Sequence, residues 1–354
     1  MGTLDRYLLK RLLGTFMLVF FGVVGIAATL DILANADEAV KETGAVGGIG
    51  VYIIARLPLI ALKMAPIAGL LAALITLLSL TRTGELGAAA ALGASQGRTA
   101  RALLPAALGL GLALFAISEF AAPPASTKLR AMGLDPFAKV ARPANAVWLR
   151  ENDDVIRIAR ISADENVLGG VTIFRRLPDG RLAFEIRAAS AERDGGGWLL
   201  KDVEVINTDG APPEFGSEMR WPTPLGPSSY RHLGAHPQEL AIADIKAFSA
   251  NPGSSPKPQF YYDLWLQQKY AGPISAALLL LLAIPFAGRL ARNRSLGGSL
   301  AVGLSVGFAY FVFDNLALAA AEAGAISAAA GAWGPPAALA SLILTLIAFQ
   351  EKPG

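Results

Sequence analysis

The sequence predicts a membrane α-helical bundle of six transmembrane helices, with an all-β domain inserted between the third and the fourth. Three observations carry that prediction. The 354 residues are 53% hydrophobic and 17% charged, with a mean hydropathy of +0.47, too apolar for a soluble globule of this length. The apolar residues gather in runs long enough to cross a hydrocarbon core about 30 Å thick. Between two such blocks lies a polar stretch, 123–262, of short alternating runs broken by Asp, Gly and Pro, a β pattern. The expected division is therefore 1–122 (three spans), 123–262 (β) and 263–354 (three spans). The absence of cysteine excludes disulfides and thiolate chemistry. The net charge is +3, but the basic residues fall beside span ends and form no patch, which argues against nucleic acid as a partner.

The first span has some features of a secretory signal: Arg6, Lys10 and Arg11, an apolar run, then Ala34-Asn35-Ala36 in small-x-small form. Its run from Leu12 to about Leu33 exceeds the roughly 7 to 15 residues of a signal core and fits a span of about 20. The second span, Val51 to Leu80, carries Arg56, Pro58, Lys63 and Pro66 in its first half. Arg56 and Lys63 are seven residues apart, so they share one face if the helix survives its prolines. They either snorkel to the headgroup region or form a cationic rim for an anionic lipid headgroup.

A short surface helix is expected over about 84–92, following Arg82. Glu85 at its start suits the positive end of the helix dipole. It is either a simple cap or, with Arg82 and Leu86, a carboxylate presented to a soluble ATPase. Gly93-x-x-x-Gly97-Arg98-Thr99 is one residue short of a Walker A loop, has Arg where Lys is required, and follows a helix. The chain carries no nucleotide site of that kind.

The third span runs from about Ala100 to Ala121 and is expected to stop at Pro123-Pro124. Candidate strands follow at 147–149, 155–161, 171–175, 182–187 and 198–206, with spacing that suits an antiparallel sandwich or open roll. The stretch 209–258 is rich in Pro, Gly and Ser and is expected to be partly irregular. His232 and His236 stand there at helical spacing, but without the Glu of an H-E-x-x-H site, so neither a metal nor a cofactor is expected. Tyr261, Tyr262 and Trp265 are what a membrane interface selects.

The fourth span is Ala271 to about Gly288, the fifth Leu296 to Leu316 and the sixth about Pro335 to Phe349, with 317–333 re-entrant or peripheral. Ser299, Gly303 and Gly307 form a small-xxx-small row, which predicts close packing within the chain or with a partner. Arg6, Lys10, Arg11, Arg82, Arg98, Arg101, Arg289, Arg292, Arg294 and Lys352 all fall on one side of this topology. The positive-inside rule places that side, and both termini, in the cytoplasm, which in a bacterium puts the β domain in the periplasm. An intramembrane hydrolase does not fit: Asp31 and Asp314 lack a paired-carboxylate context, and no His lies in a span.

Leu4-Asp5-Arg6-Tyr7, the pair Pro58 and Pro66, Thr83-Gly84-Glu85-Leu86, Glu119 to Pro123, Trp198 to Ile206 and Trp265-Leu266-Gln267-Gln268-Lys269 occur in an order that resembles the LptF/LptG family of lipopolysaccharide export permeases. The resemblance covers essentially the whole chain. It implies one half of a heterodimeric ABC permease, with an LptF-like permease subunit, an LptB-like ATPase dimer, an LptC-like bitopic protein and an LptA-like periplasmic bridge. It also implies that the β domain is a jellyroll passing lipopolysaccharide onward, and that the helix at Glu85 couples to the ATPase. Lys128 and Arg130 occupy the place of headgroup-binding residues at the third span. The first span departs from the pattern, with Ala34, Asn35, Asp37 and Glu38 where relatives often carry lysines, and Lys41 further on. Arg56 and Lys63 are expected to supply part of that missing charge.

Overall fold

The computed structural model describes residues 2–43, 46–92, 95–131, 147–151, 154–161, 166–177, 181–195, 197–208, 210–223, 236–250, 257–293 and 296–351. The chain separates into two compact units, Met1–Leu134 with Asp263–Gly354, and Asp135–Tyr262. Among the described residues, six helical stretches are long and apolar enough to cross a membrane: Leu4–Asn35, Ile49–Arg82, Gln96–Leu129, Gln259–Phe286, Leu300–Glu322 and Ala328–Phe349.

The first unit opens with α1 (Thr3–Thr43) and α2 (Val46–Arg82), the latter unbroken through Pro58 and Pro66. Gly84, in the left-handed region at φ +76°, turns the chain into the short α3 (Glu85–Ala91), a conformation glycine reaches at no steric cost. Ser95 then caps α4 (Gln96–Ala116), its hydroxyl accepting from the Arg98 amide.

The third span does not stop at Pro123-Pro124. It widens into a single π turn, Ile117–Ala121, and continues as α5 (Ala122–Ala131). The wide turn explains how the prolines are tolerated. The Ala122 amide bonds back five residues to the Ile117 carbonyl. The next carbonyl in that pattern, Ser118, would need the amide of residue 123, and proline has none. Lys269 fills the gap: its Nζ donates to the Ser118 carbonyl at 2.7 Å, and the side chain is buried.

Three long helices complete this unit: α7 (Gln259–Asn293), α8 (Leu296–Glu322) and α9 (Ala328–Glu351); α6 belongs to the β unit below. The stretch 317–333 is neither re-entrant nor peripheral, since α8 runs to Glu322 and α9 begins at Ala328, with Gly324 at φ +74° in the tight turn between them. The small-residue row on α8 packs inside the chain, against α2. A Cβ on Gly303 would lie 2.7 Å from Leu74 Cδ1, and one on Gly307 would collide with Leu70. The Ser299 side chain lies outside the described set. The main core joins α1, α2, α4, α7, α8 and α9 around Leu74, Leu77, Leu80, Leu103 and Leu282.

Among its described residues, the second unit holds one antiparallel sheet whose six strands lie in chain order: β1 (Val147–Glu151), β2 (Asp154–Ile161), β3 (Val167–Arg176), β4 (Leu182–Asp194), β5 (Gly197–Asn207) and β6 (Glu214–Trp221). A crease crosses it. Pairing skips the row Ala159, Gly170, Ala189, Asp202 and Ser217 in each ladder from β2 to β6, and two of these residues, Gly170 and Asp202, have φ of +62° and +54°. The buried side chains change parity there, from Val171 and Ile173 to Leu168, from Ile186 and Ala188 to Ala191, and from Val203 to Leu200 and Trp198. A change of parity in one strand would expose half its core residues. Because the change falls in the same row of β3, β4 and β5, the core stays continuous around Trp198, Ile156 and Ile158. The partly irregular stretch contains β6, a short 3₁₀ turn (Pro237–Glu239) and α6 (Ile242–Ala250).

Candidate functional site

Where the short α3 meets the start of α1, a carboxylate sits in a small groove. Glu85 begins α3, and the groove is lined by Leu4, Tyr7, Leu8, Leu80, Leu86 and Arg98 among others. The Thr83 hydroxyl donates to Glu85 Oε1 at 2.8 Å, and Arg11 Nη1 donates to the same oxygen at 3.3 Å. The Thr83 hydroxyl first, then the Tyr7 hydroxyl and Arg11, hold the Glu85 carboxyl below its ordinary 4.5. It is therefore an anion at neutral pH, placed at the positive end of a helix. Arg11 also donates to the Tyr7 hydroxyl, so α1 contributes two polar side chains to one residue of α3. A second pair, Arg98 with Asp5 at 4.0 Å, ties the start of α4 to α1. Glu85 keeps 40% of its side-chain surface exposed, enough for an outside cation to reach it. Leu86 packs against the main core. Arg82, in the last turn of α2, is exposed.

About 30 Å further along α1 lies a second polar cluster. Asp31 faces Arg56 of α2 in two parallel bonds, Nε to Oδ2 at 2.9 Å and Nη2 to Oδ1 at 2.8 Å, and the Tyr52 hydroxyl donates to Oδ2 at 2.7 Å. Around it Tyr52, Ala55 and Leu129 form a small core of their own with Ile32, Ile53 and Leu59. Arg56 thus meets a carboxylate of its own chain, a pairing that the spacing along α2 could not reveal. The partner is 25 residues away on another helix, and Asp31 taken alone suits a polar cap. Lys63 and Lys128 are exposed, on α2 and α5. The side chains of Lys41 and Arg130 lie outside the described residues.

The aromatic and polar run before the fourth span acts as a fastening. Trp265 Nε1 donates to Glu322 at 2.9 Å and Lys269 to Ser118, so one turn of α7 grips both α8 and the π turn of the third span. Asp314 is partly buried on α8, and nearby Tyr310 donates to Ser275 at 2.8 Å. His236 caps the 3₁₀ turn by accepting from the Gln238 amide; His232 lies outside the described residues.

Comparison with known proteins gives one consistent result. The family model described as "Lipopolysaccharide export system permease LptF/LptG" matches residues 6–348. The chain is 26% identical over 322 residues to the lipopolysaccharide export system permease protein LptG of Escherichia coli K12, covering 89% of each chain. It is 24% identical over 330 residues to the protein of the same name from Haemophilus influenzae, again with 89% of each covered.

Proposed function

Since the chain belongs to the lipopolysaccharide export system permease LptF/LptG family, a group of multi-pass inner-membrane permeases, we propose that it is one permease subunit of an ATP-driven exporter that lifts lipopolysaccharide out of the inner membrane. It carries no ATPase of its own and pairs with an LptF-like subunit, an LptB-like ATPase dimer, an LptC-like bitopic protein and an LptA-like bridge. The observation that carries this reading is Glu85, an anion on a separate helix, reachable from outside, with Leu86 beside it packed against the bundle.

In this mechanism the ATPase presents a cation to Glu85. Closing of the ATPase dimer then moves α3 as a rigid body, with Arg82 and Leu86 beside it. The two sparsely buried spans are where the partners meet. On α1, Leu18, Phe21 and Leu33 are exposed, and on α8 so are Phe308, Phe313 and Leu316. Lipopolysaccharide enters between α1 and the fifth span of the partner permease, and narrowing of that cavity drives it toward the periplasmic β domain. Lys41, Lys63, Lys128 and Arg130 contribute positive charge for its phosphates. Arg56 contributes only when it is released from Asp31.

Co-purification of the tagged chain from its native membrane, with mass spectrometry of what accompanies it, tests the reading. Recovery of an ATPase, a second permease and lipopolysaccharide is expected. Recovery of the chain alone with ordinary phospholipid would assign it instead to membrane-anchored scaffolding.

A further inference from the structure

The Asp31 cluster plays no part in the coupling described above. Its geometry is specific, because the guanidinium meets a carboxylate side-on through two parallel bonds, which is also how arginine holds phosphate. Arg56 and Asp31 keep 16% and 17% of their side-chain surface exposed, so the fork can be reached from outside the fold. Lys63, two turns along α2, is exposed and acts electrostatically on the same carboxylate. Beyond Val24 no described side chain of α1 is fully buried, and Ile26, Leu30 and Leu33 are 66%, 61% and 78% exposed. Among the described residues, the polar cluster and Ile32 tie this end of α1 to α2.

We propose that Asp31, Arg56 and Tyr52 form a latch that anions exchange. Asp31 occupies Arg56 until a phosphate-bearing lipid headgroup displaces it, and the displacement frees the second half of α1 from α2. The exchange replaces one anion on Arg56 with another, and the released carboxylate stays within the field of Lys63. The identity of the anion rests on the exporter reading above. In the latch the positive charge of Arg56 is stored and neutralised until the lipid arrives.

The chain has no cysteine, so Leu33→Cys and Ile54→Cys, at positions 78% and 71% exposed, place one spin label on α1 and one on α2 and no other in this chain; the complex assembled with the unsubstituted chain and labelled in the same way gives the background to subtract. The complex as purified, in nanodiscs of phosphatidylcholine, is examined by pulsed electron resonance with and without added lipid A, while native mass spectrometry records lipid A retention. We expect a single narrow distance without lipid A, and a shift of the main population to a longer distance with it. Asp31→Asn should give the longer distance with no lipid A present. An unchanged distance in protein that retains lipid A overturns the latch and leaves the exporter reading standing. Failure to retain lipid A removes the exporter reading and the latch together. An Asp31→Asn protein with the original narrow distance also overturns the latch, by showing that α1 is held by other contacts.

Discussion

Lys269 shows how a single charged side chain comes to lie inside a membrane bundle. It takes the place of the amide that Pro123 lacks, donating to the carbonyl which the π turn leaves over. A buried carbonyl without a partner costs about 1–3 kcal/mol. Lys269→Met is therefore expected to lower the thermal midpoint of the detergent-solubilised protein. Pro123→Ala restores an amide at the position that the π turn needs, so it is expected to recover part of the loss in the double variant while doing little alone. Additive effects of the two substitutions would show that lysine and proline do not share the Ser118 carbonyl. Glu85 supports a pH prediction. Its carboxyl is held below the usual value by Thr83, Tyr7 and Arg11, so the stabilisation from its charged form is present above the ordinary carboxylate range. That stabilisation is lost only as pH falls through the lowered value. Protection of the α3 amides from hydrogen exchange should accordingly hold from neutral pH down to about pH 5, and Thr83→Val should make it fail at higher pH.

At the scale of elements, two backbone features constrain the packing more than composition suggests. Gly307 and Gly303 let α8 approach α2 until leucine side chains fill the space of a missing Cβ. Gly307→Leu is expected to cost about 1–3 kcal/mol by overpacking, whereas Gly22→Ala, inside α1 with nothing near its Cβ position, should leave the melting temperature the same or raise it slightly. A Gly307→Leu protein that melts normally would mean that α8 does not use this face against α2. In the β unit, Gly170 sits on the crease at φ +62°, where a Cβ would also come within 2.9 Å of Ala159. Gly170→Val should therefore destabilise the unit more than Gly210→Val, since Gly210 is in the left-handed region too but has open space around it. The sequence patterns made the six spans legible because hydropathy reports burial in lipid directly, and made five strands legible because they alternate. They missed β6, whose residues Glu214 to Glu218 are all exposed and so carry no alternation. They also ended the third span at Pro123. A helix with two prolines continues only when something else supplies the lost donor, and here that donor comes from Lys269, 146 positions further along the chain. The pairing of Arg56 with Asp31 was hidden for the same reason, because the spacing along one helix says nothing about what the neighbouring helix brings.

For the whole molecule, the two ends of the helical unit carry different polar groups. One end carries an accessible anion on a short helix, and the other carries charge held in an internal pair. The β unit has its own core. On the function proposed above, force from a partner ATPase enters at Glu85. The measurement that tests it most directly is ATP-dependent release of lipopolysaccharide from proteoliposomes containing the co-purified complex, comparing wild type with Glu85→Gln and Glu85→Asp. Glu85→Gln is expected to retain bound lipopolysaccharide but to lose at least about tenfold of its release rate, with Glu85→Asp intermediate. Release by Glu85→Gln at the wild-type rate would contradict it.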